Sequence, residues 1–349
     1  MTSIYLVSQD GEEMLDELKK HIGAHISINE DNTHELTFDI EANARTEVLE
    51  QQSRLLVKFM EDWYEFIVQE VDVHYGQNNY RSVKAYPAHD DLKVIHFLPP
   101  FSLSARTLSA IMDYILYDSG WQRGRVDYTA NQRSFSSESI KSAYDLLREA
   151  SNLIGHEVRF RIVVNEEQNT ITRYVDFVID NAELSGKEVK FGRDLKRLTK
   201  NINYSQVFTQ LYVLGPEVEG TTDRLHVTVN DPAAYEIYNR NGQHVQDVYE
   251  PQMTAELSGY ALTERLRVLG LAELRKRNRH ALEWQIEVRR LDNQEDMQHE
   301  IYRLHQWLII RNEYEQSLYR TKVSGLAGRL TDPSSAIVTF SRVEKVGDM

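Results

Sequence analysis

Chemistry in this chain would have to come from histidine, carboxylate, amine or hydroxyl groups, because its 349 residues include no cysteine. That absence removes a thiol nucleophile, a thiolate metal site and a disulfide scaffold. One large group of zinc peptidases needs two histidines a helical turn apart, with a glutamate beside the first to activate water. Three His-Glu pairs occur, His34-Glu35, His156-Glu157 and His299-Glu300, and none is followed by a histidine at that spacing. His21 and His25 lie four apart without a neighbouring glutamate, and Gly23 between them weakens any helix that would align them. Gly186-Lys187 runs into Glu188 rather than Ser or Thr, so it fails as a phosphate-cradling loop. There is no Gly-x-Gly-x-x-Gly run and no Gly-x-Ser-x-Gly elbow. Any acid–base pair among the 54 Asp and Glu residues would be defined by distance, which spacing does not reveal. The expectation is a chain without catalytic residues, metal ligands or cofactor.

Charge and composition narrow the class. The formal net charge is −14. Sequence-independent grip on nucleic acid needs clustered Lys and Arg, so the acidic excess argues against a general DNA binder. It would suit a surface that DNA must pass without sticking. A hydrophobic fraction of 41% and a charged fraction of 27% fit folded domains, and the length suits two or three of them. No apolar stretch approaches the roughly 20 residues of a membrane span, and residues 1–10 lack the pattern of a signal peptide. Two charge runs stand out. Asp10 to Glu17 carries five acidic residues, and Arg265 to His280 carries Arg265, Arg267, Arg275, Lys276, Arg277 and Arg279. Both read either as solvated faces or as subunit contacts, the latter through Arg265, Arg275 and Arg277. The 19 tyrosines suit protein interfaces or sugar stacking equally.

The elements that would position any site are mostly strands. Ser3–Val7, His34–Ile40, Leu55–Met60 and Trp63–Val71 are β-branched, aromatic or alternating, which predicts a first β-barrel-like domain over 1–85. A helix is predicted over Ala105–Asp118 from the stripe Leu108, Ile111, Met112, Ile115 and Leu116, with Gly120 to stop it. Trp121–Val126 and Gln132–Phe135 read as a hairpin. A second helix over Glu138–Leu153 carries Ile140, Ala143, Tyr144 and Leu147, and strands follow at Glu157–Val164 and Thr170–Ile179. Residues 86–200 thus form a mixed α+β domain, joined by 235–280 with a long helix over Thr254–Arg277 whose inner side would be Leu257, Tyr260, Ala261, Leu266 and Leu269. Strands at Tyr204–Leu214, Arg224–Val229, Leu282–Val288, Tyr302–Ile310 and Ala336–Phe340 predict a second β-barrel-like domain from 201–234 with 281–349. The fold class is α+β, mostly β.

Several segments resemble one phage family. Ile171-Thr172-Arg173-Tyr174-Val175-Asp176-Phe177 is followed by Phe191-Gly192-Arg193-Asp194-Leu195-Lys196 and by a strand closing on Thr209-Gln210-Leu211-Tyr212-Val213-Leu214-Gly215. Phe66 to Val71, the Tyr86-Pro87-Ala88-His89 step into Asp90-Asp91-Leu92, the Thr107–Gly120 helix with Trp121 after it, and Leu330-Thr331-Asp332-Pro333 before Val338-Thr339-Phe340 come in the same order. Together these resemble the N-terminal hub part of the prophage tail endopeptidases, also called tail-associated lysins. Each piece is loose, and the match spans nearly the whole chain. The motif positions are Trp121, Arg173, Val175, Asp176, Gly192, Leu195, Thr209, Leu211, Gly215, Asp332 and Pro333.

The resemblance implies a structural role like that of the central hub of contractile-tailed phages. Such a protein is a homotrimer in which each subunit gives two barrel-like domains to a ring of six. The ring continues the tail tube, opens or closes the DNA channel, and meets a distal tail protein and the tube or tape-measure proteins. DNA only passes through its lumen. Its place is the virion tail tip, after synthesis in the host cytoplasm. The endopeptidase of the family name implies a cell-wall hydrolase as the alternative, yet no motif position offers a catalytic group. The chain is either a whole hub or the N-terminal part of a longer lysin. A carbohydrate-binding module is a third reading, from tyrosine content alone.

Overall fold

The computed structural model describes residues 3–8, 11–127, 132–152, 155–180, 184–190, 195–217, 224–251, 259–279, 281–288, 302–330 and 336–348. The chain divides into two compact units, Met1–Thr199 with Gln285–Met349, and Lys200–Trp284. With 52% strand and 19% helix, the class is α+β and mostly β, as the sequence implies. Among the described residues no closed barrel is found, and the strands form open sheets.

The larger unit is organised on two three-stranded meanders. The first is Arg54–Phe59, Asp62–His74 and Tyr80–Pro87. The second is Trp307–Asn312, Ser317–Arg329 and Ile337–Asp348. Each has a central strand of 13 residues that pairs antiparallel with both neighbours. The registers correspond at several positions, and both ladders shift at the same point, Val68/Glu70 and Val323/Gly325. Asp62 faces Phe59 as Ser317 faces Asn312, and Asp72 faces Ser82 as Ala327 faces Ile337. Glu35–Glu41 and Ile22–Asn29 lie between the meanders, so the sheet runs from Tyr80–Pro87 through both of them to Ser317–Arg329.

Local sequence explains these strands. Leu36, Phe38 and Ile40 are buried at alternate positions of Glu35–Glu41, the period of a strand with one covered face. Met60 and Glu61 make the turn into Asp62–His74 with φ of 51° and 69°, the left-handed pair that a two-residue hairpin turn needs to match strand twist. Met14–Leu18 is also a strand, pairing with Ile4–Val7, so the acidic run forms part of a sheet edge.

The mixed block lies in this same unit. Helix Leu108–Ile115 starts at Thr107, whose Oγ1 accepts the Ala110 N–H at 3.3 Å. Its predicted stripe is buried, together with Leu146, Leu147 and Ala150 of helix Ala143–Asn152, and with Val175 and Phe177 of strand Thr170–Val178. Ile140 lies outside the second helix and is 68% exposed. The expected hairpin over Trp121–Phe135 does not form. Gln122–Val126 pairs in parallel with Thr170–Val178, while Arg133–Ser137 pairs with Phe101–Arg106.

In the smaller unit, strand Gln210–Leu214 lies between His226–Asn230 and Gln246–Tyr249. Helix Gly259–Arg277 covers this sheet through Leu262, Leu266, Gly270 and Leu274. The inner face therefore differs from the predicted one. Tyr260 is 80% exposed and Ala261 faces solvent, while Leu257 lies outside the described residues. The helix is apolar on both sides, with Val268 and Leu271 also turned outward, so its period does not single out the buried stripe. Among the described residues no helix is long and apolar enough to cross a membrane.

Gly270 is the contact point of helix and sheet. A Cβ there would overlap Cγ2 of Val213 and meet Cγ2 of Val229 at 3.1 Å. Helix propensity alone would favour Gly270→Ala by about 1 kcal/mol. Overpacking should outweigh it, leaving the variant destabilised by about 1–3 kcal/mol. A urea midpoint equal to or above wild type would refute this packing.

Candidate functional site

One motif residue of the larger unit, Arg173, lies in a cluster of buried charge. Thr170–Val178 turns Ile171, Arg173, Val175 and Phe177 to one covered face, so a guanidinium sits in an otherwise apolar row. Its partner is Glu65, whose side chain has no exposed surface. Arg173 Nε donates to Glu65 Oε2 at 2.6 Å, and Nη2 donates to Oε1 at 2.7 Å and to the Gly11 carbonyl at 2.6 Å. Arg54 Nη1 also donates to Glu65, at 3.1 Å, and Nη2 binds the Asp91 carboxylate. Burial opposes the charge of Arg54, but Glu65 and Asp91 outweigh it and raise its pKa. Burial raises the pKa of Asp91 despite Arg54. Gly11, at φ 78°, lies where a Cβ would overlap the Arg173 guanidinium.

Asp176 points to the opposite face. Its Oδ1 accepts the backbone N–H of Arg125 at 2.6 Å, and Arg161 donates to both oxygens, at 2.9 and 3.2 Å. This ties the parallel edge strand Gln122–Val126 to its neighbour. Trp121 is buried edge-on to Phe160, with ring centroids 5.4 Å apart.

A second cluster surrounds Lys322, which is fully buried on the central strand of the second meander. Lys322 Nζ donates to Glu157 Oε1 at 2.8 Å and Oε2 at 3.0 Å, and to Asp180 Oδ2 at 3.1 Å. Glu30 stands 3.4 Å away. Asp180 also accepts Trp307 Nε1 at 2.7 Å, Glu30 accepts Ser341 Oγ at 2.9 Å, and Arg159 donates to Glu157 at 2.9 Å. Burial, then the charges of Arg159 and Lys322, push the pKa of His305 down to about 2. Spacing gave no sign of this cluster. A single lysine within Tyr319-Arg320-Thr321-Lys322-Val323-Ser324 reads as an ordinary exposed residue of a strand.

Beside the first cluster lies a stack of neutral rings. His89 lies flat on Phe160 at 4.2 Å and its Nε2 donates to the Asn32 carbonyl at 2.9 Å. His34 meets His89 and Tyr64 edge-on at 5.4 and 6.0 Å, and its Nδ1 accepts the Asn29 N–H. His34 and His89 are thus structural, and His25 lies within strand Ile22–Asn29 with His21 just before it, so the two do not share a helix. Among the described residues no group of three or more His, Asp or Glu side chains could hold a metal ion.

The remaining sites are dispersed. Thr209, fully buried in the smaller unit, accepts the Val245 N–H at 3.0 Å through Oγ1 and contacts His244 Nδ1 at 2.9 Å. Leu211 is buried, and the Gly215 carbonyl accepts two bonds from Arg224, at 2.9 and 2.6 Å. Thr209 and Gly215 flank the central strand of that sheet, and Leu211 lies within it. Arg265 and Arg275 are exposed, whereas Arg277 binds Asp247 and Glu273 inside its own unit, each at 2.8 Å. Leu195 begins a strand, while Gly192, Asp332 and Pro333 lie outside the described residues.

No protein-family model and no curated protein matches the chain. Solved structures do. The 43 kDa tail protein of prophage MuSo2 from Shewanella oneidensis shares 11% identity at a TM-score of 0.65, over 99% of this chain and 98% of that one. A tail protein from Neisseria meningitidis gives 10% and 0.64 over 98% and 96%. The prophage tail protein gp18 of Listeria monocytogenes gives 11% and 0.58 over 97% and 94%. At these identities the likeness is one of fold, and it extends along the full length of each partner.

Two measurements test the clusters. Arg173→Met leaves Glu65 with Arg54 alone and should cost about 3–5 kcal/mol, the usual penalty of breaking a buried pair. A change within 1 kcal/mol in urea unfolding would mean that water reaches Glu65. The second concerns pH. Burial lowers the pKa of His34 to about 4 and that of His89 well below its ordinary value. Below about pH 6.5 the unfolded chain binds more protons than the folded one, so stability falls with pH until the folded value is reached. For His34 the loss between pH 7 and pH 5 is about 2 kcal/mol at ~1.36 kcal/mol per unit. His34→Phe should shrink the difference between urea midpoints at those pH values, and an unchanged difference would clear His34.

Proposed function

We propose that this chain is a structural hub of a phage or prophage tail tip, with no enzymatic role. Three copies form a ring that continues the tail tube and gates the DNA channel. The observation that carries this reading is the pair of meanders. Both meanders, of corresponding register and equal central-strand length, belong to one sheet, with Glu35–Glu41 and Ile22–Asn29 between them. Such a sheet has unpaired edges, and closing it through further copies removes them. Three chains would supply six quasi-equivalent meanders. The division into two tube-like parts and a mixed middle part, expected from sequence, is proposed in this form. The fold shared with prophage tail proteins supports the same setting, at the virion tail tip among distal tail, tube and tape-measure proteins. The motif residues act within it as fasteners of strands. The net charge of −14 suits a lumen along which DNA moves without adhering.

Light scattering on the purified chain should give three times the mass of one chain, and negative-stain micrographs should show a three-fold ring. A monomer at every usable concentration would overturn the proposal. Release of peptide from peptidoglycan by the purified chain would instead favour the hydrolase reading.

A further inference from the structure

The two meanders differ in one respect. The end of the second central strand is paired on both sides, since Gly325–Arg329 faces His25–Asn29 on one flank while Gly325 and Ala327 face Thr339 and Ile337 on the other. The matching segment of the first, Glu70–His74, faces only Tyr80–Lys84. Among the described residues no strand pairs with its outer edge. A shallow groove of about 240 Å³ follows that edge, lined by Leu49, Gln69, Val71 and Val73 among others. Glu70 and Asp72 are exposed on the opposite face of the same strand, where Ser82 and Lys84 stand with them, and His74 is exposed at its end.

The sheet has a complementary end. Beyond Ile337–Asp348 come Ala281–Val288 and then Leu195–Asn203. This repeats the order Tyr80–Pro87, Glu35–Glu41, Ile22–Asn29 beside the first meander. Leu195–Asn203 therefore stands where Ile22–Asn29 stands, but where Ile22–Asn29 goes on to pair with the second meander, Leu195–Asn203 is the last strand of the order among the described residues. Its sequence holds Lys196, Arg197 and Lys200 with no acid, whereas Gln69 to His74 holds Glu70 and Asp72 with no Lys or Arg.

We infer that Leu195–Asn203 of one copy adds antiparallel to the outer edge of Glu70–His74 of the next, repeating between chains the Ile22–Asn29 to Ser317–Arg329 junction found within one. The inference rests on the proposed ring and names its interface. The occupant is a second copy because the chain carries both edges, with opposite charge, and its own internal junction supplies the geometry. Two different surfaces meeting head to tail close into a ring when the rotation allows. Main-chain pairing gives the affinity, and the charges choose the partner edge.

Because the chain has no cysteine, engineered pairs report without background. Asp72→Cys combined with Thr199→Cys, and Asp72→Cys combined with Asn201→Cys, bracket the register on exposed positions. Under mild oxidation one of the two should give a reducible ladder ending at a covalent trimer. Leu15→Cys with Asn201→Cys, on the Met14–Leu18 edge, should not. In a second arm, Asp72→Lys should weaken association roughly tenfold, and adding Lys200→Glu should restore it. A trimer by light scattering that yields no ladder from either pair and ignores the charge reversal would overturn this interface and leave the ring standing. A monomer at every concentration would overturn both.

Discussion

Glu65 is a carboxylate without access to water, and the geometry of the larger unit depends on its two guanidinium partners. Glu157–Asn165 belongs to the mixed block and is laddered to the first meander at one described position, Ile162 with Trp63. One pair does not fix a register. Arg173 does, because its fork can satisfy both Glu65 oxygens in only one placement of Thr170–Val178. The apolar contact of Ile171 with Val7 and Leu56 lies alongside, and it would tolerate small slips that the ion pair would not.

Lys322 does the same on the other side. It sits on the central strand of the second meander, as Glu65 sits on that of the first, and it draws Glu157 and Asp180 together at the open end of the Glu157–Val178 hairpin, where Glu157 pairs with Val178. One hairpin is thus pinned to both meanders by buried ions of opposite sign. Such pairs add little net stability, since desolvation offsets much of the attraction. Their contribution is to make alternative registers costly, because each would leave a charge buried without its partner.

This explains what could and could not be read in the sequence. Leu36, Phe38 and Ile40, and the stripe Leu108 to Leu116, announce their elements because one face is apolar and the other is not. Ser317–Arg329 carries no strand signal although it is among the longest strands, because Lys322, Gly325 and Gly328 interrupt any alternation. Ile22–Asn29 does alternate, with Ala24, Ile26 and Ile28 buried between Gly23, His25 and Ser27, but its apolar signal is only two large residues long. Gln122–Val126 was paired with the wrong strand because its partner lies some fifty residues on, and local pattern favours the nearest neighbour. Arg173 and Asp176 were marked by resemblance, while Glu65 and Lys322 carry no such mark. A buried ion is legible only through its partners, which the fold alone brings together.

The two meanders correspond in register but not in surface, and the difference follows their fates. Where the second carries Gly325 and Ala327, the first carries Glu70 and Asp72 at the matching positions. The Gly325–Arg329 edge is covered by Ile22–Asn29 of the same chain as it folds, so small residues that let backbones approach closely carry no risk there. Among the described residues no strand covers the outer edge of Glu70–His74. An uncharged open edge would pair with any strand it met, and charged side chains restrict it to a partner of opposite sign. The same backbone can therefore serve as a permanent joint inside the chain and a selective one outside it, with side-chain charge alone distinguishing the two.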